Sequence, residues 1–469
     1  GSALLGKSIE SIRAFNPPLH RSYESGSNPC EIFLKLSAMV VFQNQLVENR
    51  NYNLSKTLAE NGFRYIIYTK KRTSQTPEKV FSKRRKRAEM AKKIRIAVAG
   101  AGNRARYVVK ELLETADGTV EIGAIYDPDH AVAKETAVKF WNSPDAEICS
   151  SWEQALQNNI DWAMVFSPNY AHKEEILAAF AAGKDVFSEK PLATKIEDCQ
   201  AIYTEWKKCG RTFATGFVLR YSRIYRKAYE LLHSGIFGKL VSVEANENIR
   251  PQHGGYIMSN WRRLTKYAGP HILEKCCHDL DLIEWFTGSI PSKVCAFHGR
   301  GFFTPENRAL EDKYGKDAFI CWWDPHRVET PFNADSDLHD NMVSIAQFRN
   351  GVHVSFNYSM LCALPERRMV FHCTEGTMRL DLYKKQLSWK NIGDQEVTTL
   401  DFSDCDGHGG GDNFIMKELF ETMTAGVPPK CSGEEGLLSA VYALALDQSA
   451  STGKIFDLEP VWTSLGRAE

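Results

Sequence analysis

The chain has 469 residues, with 58 Lys+Arg against 58 Asp+Glu, 43% hydrophobic and 25% charged residues. This is globular composition with length for two or three domains. A net charge of zero argues against nucleic acid or an anionic membrane surface as the default partner, and no run reaches the roughly 18 consecutive apolar residues of a membrane span.

The zero is a cancellation. Residues 1–93 hold 18 Lys/Arg and 7 Glu with no Asp, so residues 94–469 carry 40 basic against 51 acidic residues. Twelve Cys are scattered without a C-x-x-C pair, which reads as reduced thiols in a cytoplasmic protein rather than a disulfide framework.

In chain order, residues 1–92 read as a basic, irregular extension. They contain Pro17-Pro18, apolar patches at 32–42 and 65–68, and the run Lys83-Arg84-Arg85-Lys86-Arg87. A nuclear or RNA-binding patch, the tail of a transit peptide and a solvated linker compete for that run; charge runs are usually solvated, which favours the linker. Met90 stands just before Ala91-Lys92-Lys93-Ile94-Arg95-Ile96, the opening of a dinucleotide-binding strand. The extension is therefore expected to be dispensable for chemistry.

Residues 93–215 alternate between β and α patterns: strands at 94–99, 120–126, 161–166 and 185–187, and helices at 104–115 and 173–182. This implies an N-terminal Rossmann domain, a doubly wound parallel sheet. Residues 216–469 open with a helix at 223–233 and continue in alternating strands at 240–246, 294–298, 342–348, 352–359, 368–373 and 377–382. That half is expected to be an α+β domain with a large, mostly antiparallel open sheet. The stretch 304–337, with Trp322-Trp323-Asp324-Pro325-His326, reads as a long loop acting as a lid or a subunit contact.

Gly100-Ala101-Gly102-Asn103-Arg104-Ala105 lies between the first strand and the first helix. There a tight turn, a close backbone approach and a helix N-terminus suit a pyrophosphate. Asp127 ends the second strand and is placed to hold ribose hydroxyls; it repels a 2′-phosphate, so NAD is favoured, while Arg104 leaves NADP open. Ser167, Asn169 and His172 follow one strand end, and Glu189-Lys190-Pro191 the next, where open α/β sheets bind ligands.

In this order and spacing, Gly-x-Gly-x-x-Ala, Ser-Pro-Asn-x-x-His, the block 182–193 ending Ser188-Glu189-Lys190-Pro191-Leu192-Ala193, and Ser234-Gly235-Ile236-Phe237-Gly238-Lys239 resemble the glucose–fructose oxidoreductase, inositol dehydrogenase and rhizopine-catabolism family, written Gfo/Idh/MocA. The resemblance runs from about Lys93 to about Leu458. It implies that Gly100, Gly102, Asn103, Arg104, Asp127, Ser167, Asn169, His172, Glu189 and Lys190 hold the cofactor. It further implies a catalytic segment at Glu274-Lys275-Cys276-Cys277-His278-Asp279-Leu280-Asp281, with His278 as general base and Asp281 as a substrate-side carboxylate. Glu274 stands where the family usually has Asp, and Cys276 where Gly is common. On a continuous helix residues 274, 278 and 281 share a face.

Lys190, Trp261, Arg262, Asp281, His278 and His408 are the expected substrate contacts, the last from His408-Gly409-Gly410-Gly411 before a helix near Asn413. A metal is not expected, because His326, His339 and nearby carboxylates match no ligand spacing.

The function so implied is an NAD(P)-dependent oxidoreductase moving a hydride between a nicotinamide and a secondary alcohol of a sugar, sugar derivative or inositol. Such a reaction needs a base for the hydroxyl proton and a cation for the developing alkoxide. The alternative is redox-assisted glycoside cleavage: transient oxidation, elimination, then re-reduction. A non-catalytic NAD-binding sensor fits less well, since Lys190 and His278 are both present. The partner is a small carbohydrate or polyol, and a homodimer or homotetramer is expected through the open sheet.

Overall fold

A computed structural model describes residues 93–319, 328–402 and 410–467 with their side chains, together with the backbone of strands at 52–60 and 63–70. The chain divides into two compact units, 1–89 and 90–469.

In the first unit, β1 (Tyr52–Glu60) and β2 (Phe63–Lys70) pair antiparallel from Tyr52↔Lys70 to Glu60↔Phe63, with a register shift between Leu54 and Lys56. The segment read as irregular thus contains a hairpin. Asn61-Gly62 stands between its strands, the dipeptide that two-residue hairpin connections favour.

The second unit begins with the strand–helix alternation expected from sequence. Its parallel strands are β3 (Ile94–Ala99), β4 (Val120–Tyr126), β5 (Glu147–Cys149), β6 (Trp162–Val165), β7 (Asp185–Ser188) and β8 (Phe213–Thr215), in the order β5-β4-β3-β6-β7-β8. This is the doubly wound order, which reverses between β3 and β6 and opens a crevice there. The helix after β3, α1 (Asn103–Ala116), buries Ala105, Val108, Val109, Leu112 and Ala116, the i, i+3, i+4, i+7 stripe of a helix laid on a sheet. After β6 comes α2 (His172–Ala181), and after β7 comes α3 (Ile196–Cys209).

Beyond β8, α4 (Arg223–Leu232) leads into β9 (Leu240–Asn248), α5 (Pro251–Ser259), the short α6 (His271–Glu274), α7 (Cys277–Thr287) and β10 (Pro291–Gly299). The remaining strands are β11 (Asn341–Phe348), β12 (His353–Ser359), β13 (Glu366–Cys373), β14 (Gly376–Asp381), β15 (Gln386–Asn391), β16 (Thr398–Asp401) and β17 (Phe456–Asp457). They form a nine-stranded sheet in the order β16-β15-β14-β13-β9-β12-β11-β10-β17, antiparallel except for β9 with β12. β11 alternates strictly between buried and exposed residues, so one face is covered and the other is open. The covering includes α8 (Gly433–Thr452), which packs on β10, on α7 and on α3.

The described residues of the stretch 304–337 are packed. Phe303, Phe319, Phe332 and Leu338 bury themselves against Ile249, Ile257, Met258 and Met360 as a separate small core. Gly254 and Gly255 permit this packing, because a Cβ on them would lie 1.9 Å from the Met360 carbonyl oxygen and 1.5 Å from that of Phe319. Trp322 to His326 lie outside the described residues.

Candidate active site

The glycine turn after β3 is held from both sides. Gly100 has φ +82°, and a Cβ there would fall 2.7 Å from the Ser167 amide nitrogen, so only glycine lets β3 pass the end of β6. Asp127 pins the same turn: its carboxylate accepts from the amides of Ala101 (2.8 Å) and Asp129 (2.9 Å).

Helix α1 then begins at Asn103 with no side-chain cap and no acidic residue in its first turn, and a Cβ on Gly102 would meet nothing within 4 Å. Uncapped N–H groups facing open space at a helix N-terminus suit a pyrophosphate. These residues therefore fit NAD.

Arg104 is engaged elsewhere than beside Asp127. Its Nε donates to Glu189 (2.7 Å) and its Nη1 meets Asp412 (2.7 Å). Burial opposes its charge, and the two carboxylates overcome that, holding the guanidinium ionised. Glu189 and Asp412 thus fix the side chain from two elements.

Ser167, Asn169 and His172 form the floor more than the contact surface. Ser167 Oγ donates to Glu175, and the Asn169 amide donates to the Ala268 carbonyl at 2.8 Å. His172, 1% exposed, spans the carbonyls of Pro191 (2.8 Å) and Ser167 (3.0 Å). It is a strut between two strand ends rather than a group facing the cofactor.

The expected single helix through 274, 278 and 281 is broken. α6 ends at Glu274 and α7 starts at Cys277, and the freed Glu274 carbonyl accepts from Lys190 Nζ at 2.6 Å. The interruption thus lends the lysine a main-chain acceptor that an unbroken helix would have used internally. The Glu274 carboxylate lies 3.8 Å from Lys190 Nζ and accepts from Arg262 Nε at 2.8 Å. Burial raises the proton affinity of this carboxyl, but Lys190 and Arg262 outweigh it and hold the group well below the usual carboxylate range. Glu274 is accordingly held as an anion between two cations.

Trp261 stacks on the Arg262 guanidinium, 4.3 Å from its ring centroid, and Arg262 Nη1 donates to Tyr256 Oη at 2.9 Å. Arg262, expected among the substrate contacts, shares the Glu274 carboxylate with Lys190. Tyr256, whose place near the site is among the sequence features that keep the glycoside-cleaving alternative open, holds Arg262 here.

His278 is in the first turn of α7, 5% exposed, with its ring edge-on to Phe217 at 5.9 Å. Asp281, the expected substrate-side carboxylate, is enclosed in an ion pair. It is 1% exposed and takes Arg220 in a two-pronged pair at 2.7 and 2.9 Å. Burial raises its carboxyl to about 6, with Arg220 pulling the other way. Neither Arg220 nor this pairing was legible in the spacing.

Asp279 is held similarly by Arg367 at 2.8 and 2.7 Å, with Glu247 3.3 Å from the same guanidinium. The first turn of α7 is therefore anchored on both sides of His278. Burial pushes the Cys277 thiol up to about 12 and Cys276 well above its usual value, so neither is a nucleophile. His408 lies outside the described residues, while Asp412 reaches Arg104 from the helix Gly411–Ala425.

Comparison with known proteins agrees with this architecture. The family described as "Oxidoreductase family, NAD-binding Rossmann fold" matches residues 94–217, and the GFO/IDH/MocA C-terminal domain matches 225–379. "Putative oxidoreductase YteT" of Bacillus subtilis (strain 168) is 21% identical over 376 residues, 69% of this chain and 88% of that protein. The 2,7-anhydro-N-acetylneuraminate hydratase of Escherichia coli (strain K12) is 28% identical over 224 residues, 44% of this chain and 58% of that protein. The chain therefore spans a little over half of that relative. The WlbA dehydrogenase from Bordetella pertussis, solved with NADH and UDP-GlcNAcA, superposes with a TM-score of 0.60 at 20% identity, over 78% of this chain and 99% of that one; that likeness shows the fold. With both halves matched over more than half of its length, the chain belongs to the Gfo/Idh/MocA family of NAD-binding oxidoreductases.

Proposed function

We propose that the chain oxidises, or in reverse restores, a secondary hydroxyl of a sugar, sugar derivative or inositol. The observation that carries this reading is Lys190 at the carboxyl end of β7, donating to the Glu274 main-chain oxygen at 2.6 Å. An ammonium has three donors, so two remain for a substrate oxygen. His278 takes the hydroxyl proton, and Lys190 stabilises the charge that develops on that oxygen. When bound, NAD supplies the acceptor for the electron pair and hydrogen leaving carbon. Arg262, already held by Glu274, Tyr256 and the Trp261 ring, supports Lys190 through the carboxylate they share.

The test is NADH formation across a panel of sugars, sugar acids and inositols. Steady NADH production with one class supports the reading, and its absence across the panel counts against it. A second reading is favoured by the relative named 2,7-anhydro-N-acetylneuraminate hydratase. In it the same groups oxidise a glycoside transiently, an elimination breaks the C–O bond, and the cofactor is regenerated. Aglycone release from a chromogenic glycoside with no net NADH distinguishes it.

The partner is a small molecule rather than nucleic acid, given 40 basic against 51 acidic residues beyond residue 93. A reducing, cytoplasmic setting suits the nine described cysteines, all of them free. Among the described residues no helix is long and apolar enough to cross a membrane. A homo-oligomer is supported by the open sheet face, where Phe297 (70% exposed), Val343 (65%) and Ile345 (60%) stand together on β10 and β11. Contiguous apolar surface of this kind marks an interface. Phe297→Glu should lower the mass seen by light scattering; an unchanged mass would refute this use of the face.

A further inference from the structure

We propose that His298, His339 and Asp447 bind a divalent transition-metal ion, with zinc as the expected occupant. The three residues come from β10, from the segment leading into β11, and from α8. Spacings of 41 and 108 residues conceal them from any reading of local ligand motifs. The site is separate from the Lys190–Glu274 centre and does not depend on the substrate proposed above.

One ligand atom from each residue lies within 4.8 Å of the other two. His298 Nε2 stands 3.8 Å from Asp447 Oδ1, and the two imidazoles stack at 3.5 Å with planes 14° apart. In a tetrahedral zinc site with bonds of about 2.0–2.1 Å, ligand atoms sit about 3.4 Å from one another. Binding requires the two imidazoles to turn out of their stack, so that a ring nitrogen of each points at the ion.

The backbones beneath are fixed. His298 pairs with Met342 across the sheet, and the His339 carbonyl accepts from Tyr358 Oη at 3.3 Å. The neighbouring Asp340 is fully buried, accepting from the amides of Gly301, Phe302 and Phe303. Arg300, the nearby cation, turns instead to the carbonyls of Phe303 and Ser336 at 2.8 and 2.5 Å.

These polar groups are poorly served without an ion. His298 Nε2 has Ser451 Oγ at 3.3 Å, and Asp447 has only the long 3.8 Å approach to His298 among the described residues. Two imidazoles and one carboxylate favour zinc, cobalt or nickel over calcium or magnesium. Ser451 or water would complete the shell. The ion would then staple the end of β10 and the start of β11 to α8.

The experiment uses the full chain, stripped with chelator, dialysed, and titrated with Zn²⁺ by calorimetry and with Co²⁺ by visible absorption. The expected result is one equivalent bound in the sub-micromolar range. The cobalt spectrum should be that of a nitrogen- and oxygen-ligated ion without thiolate-to-cobalt charge transfer. His298→Ala and His339→Ala should each weaken binding about a hundredfold or more, with circular dichroism and NADH binding unchanged. Asp447→Asn is the milder variant should either alanine form fail to fold, and it too should weaken binding. Absence of binding to the wild-type chain, undiminished affinity in the folded variants, or a thiolate band would each overturn the proposal.

Discussion

Replacing Glu274 by Gln removes one charge and almost no volume, at a position 6% exposed. The carboxylate faces Arg262 at 2.8 Å and Lys190 at 3.8 Å. With an effective dielectric of about 20, a pair 3.8 Å apart interacts by roughly 4 kcal/mol. Removing one partner of a buried pair costs about 3–5 kcal/mol in practice. Lys190 keeps its main-chain acceptor in the variant, so the loss in unfolding free energy should sit near about 3 kcal/mol, read from guanidinium titrations.

The pH dependence follows from the depressed carboxyl of Glu274. Its stabilisation is present above the unfolded value of about 4.3 and is lost only as pH falls through the lower folded value. The difference between Glu274→Gln and wild type should therefore be flat from about pH 6 to 9 and shrink in acid. NADH affinity should hold while kcat falls by more than about tenfold, because the lysine loses its fixed anion. Glu274→Asp should recover part of that loss. A Gln variant with wild-type stability and kcat would refute the view of Glu274 as the anchor of the two cations.

Lys190→Ala and His278→Ala should remove turnover while leaving folding and NADH binding largely intact; normal turnover in both would end the catalytic assignment. Gly100→Ala places a Cβ 2.7 Å from the Ser167 amide at φ +82°. It should cost at least about 1–3 kcal/mol and weaken NADH binding, and a neutral effect in both assays would contradict the packing described. Burial raises Glu175 from 4.5 to about 7, with Ser167 opposing. A raised folded value means that the penalty is absent below about pH 4.5 and complete above about pH 7. Glu175→Gln should then stabilise the chain by up to about 3 kcal/mol at pH 8 and have little effect at pH 4; a destabilised variant at pH 8 would show the burial argument to be wrong.

Local order carried much of this reading. The strand Ile94–Ala99, the glycine turn, Asp127 at the end of Val120–Tyr126 and the Glu189-Lys190-Pro191 block are encoded within a few residues of one another. Hydrophobic period and turn chemistry therefore expose them without any tertiary knowledge. α8 escaped notice because its sequence, with Leu437, Ala440, Val441 and Leu446 among many buried positions, is apolar on nearly every side and shows no amphipathic stripe. Its capping box from Ser432 to Glu435 was the readable trace.

The residue types at the active site were legible, but not the partners that give them their roles. Position at strand ends and in the glycine turn singled out Lys190 and Arg104, and the family resemblance pointed to His278 and Asp281. Only the fold broke the helix at Lys275–Cys276, turned Asp281 onto Arg220, and clamped Arg104 between Glu189 and Asp412. The sequence by itself determined the cofactor fold, since that follows from short-range pattern. The tertiary structure decided which charges are buried in pairs and which face the reaction, because an ion pair spanning 61 or 308 positions, as from Arg220 to Asp281 or Arg104 to Asp412, is set by how elements pack and leaves no local period to read.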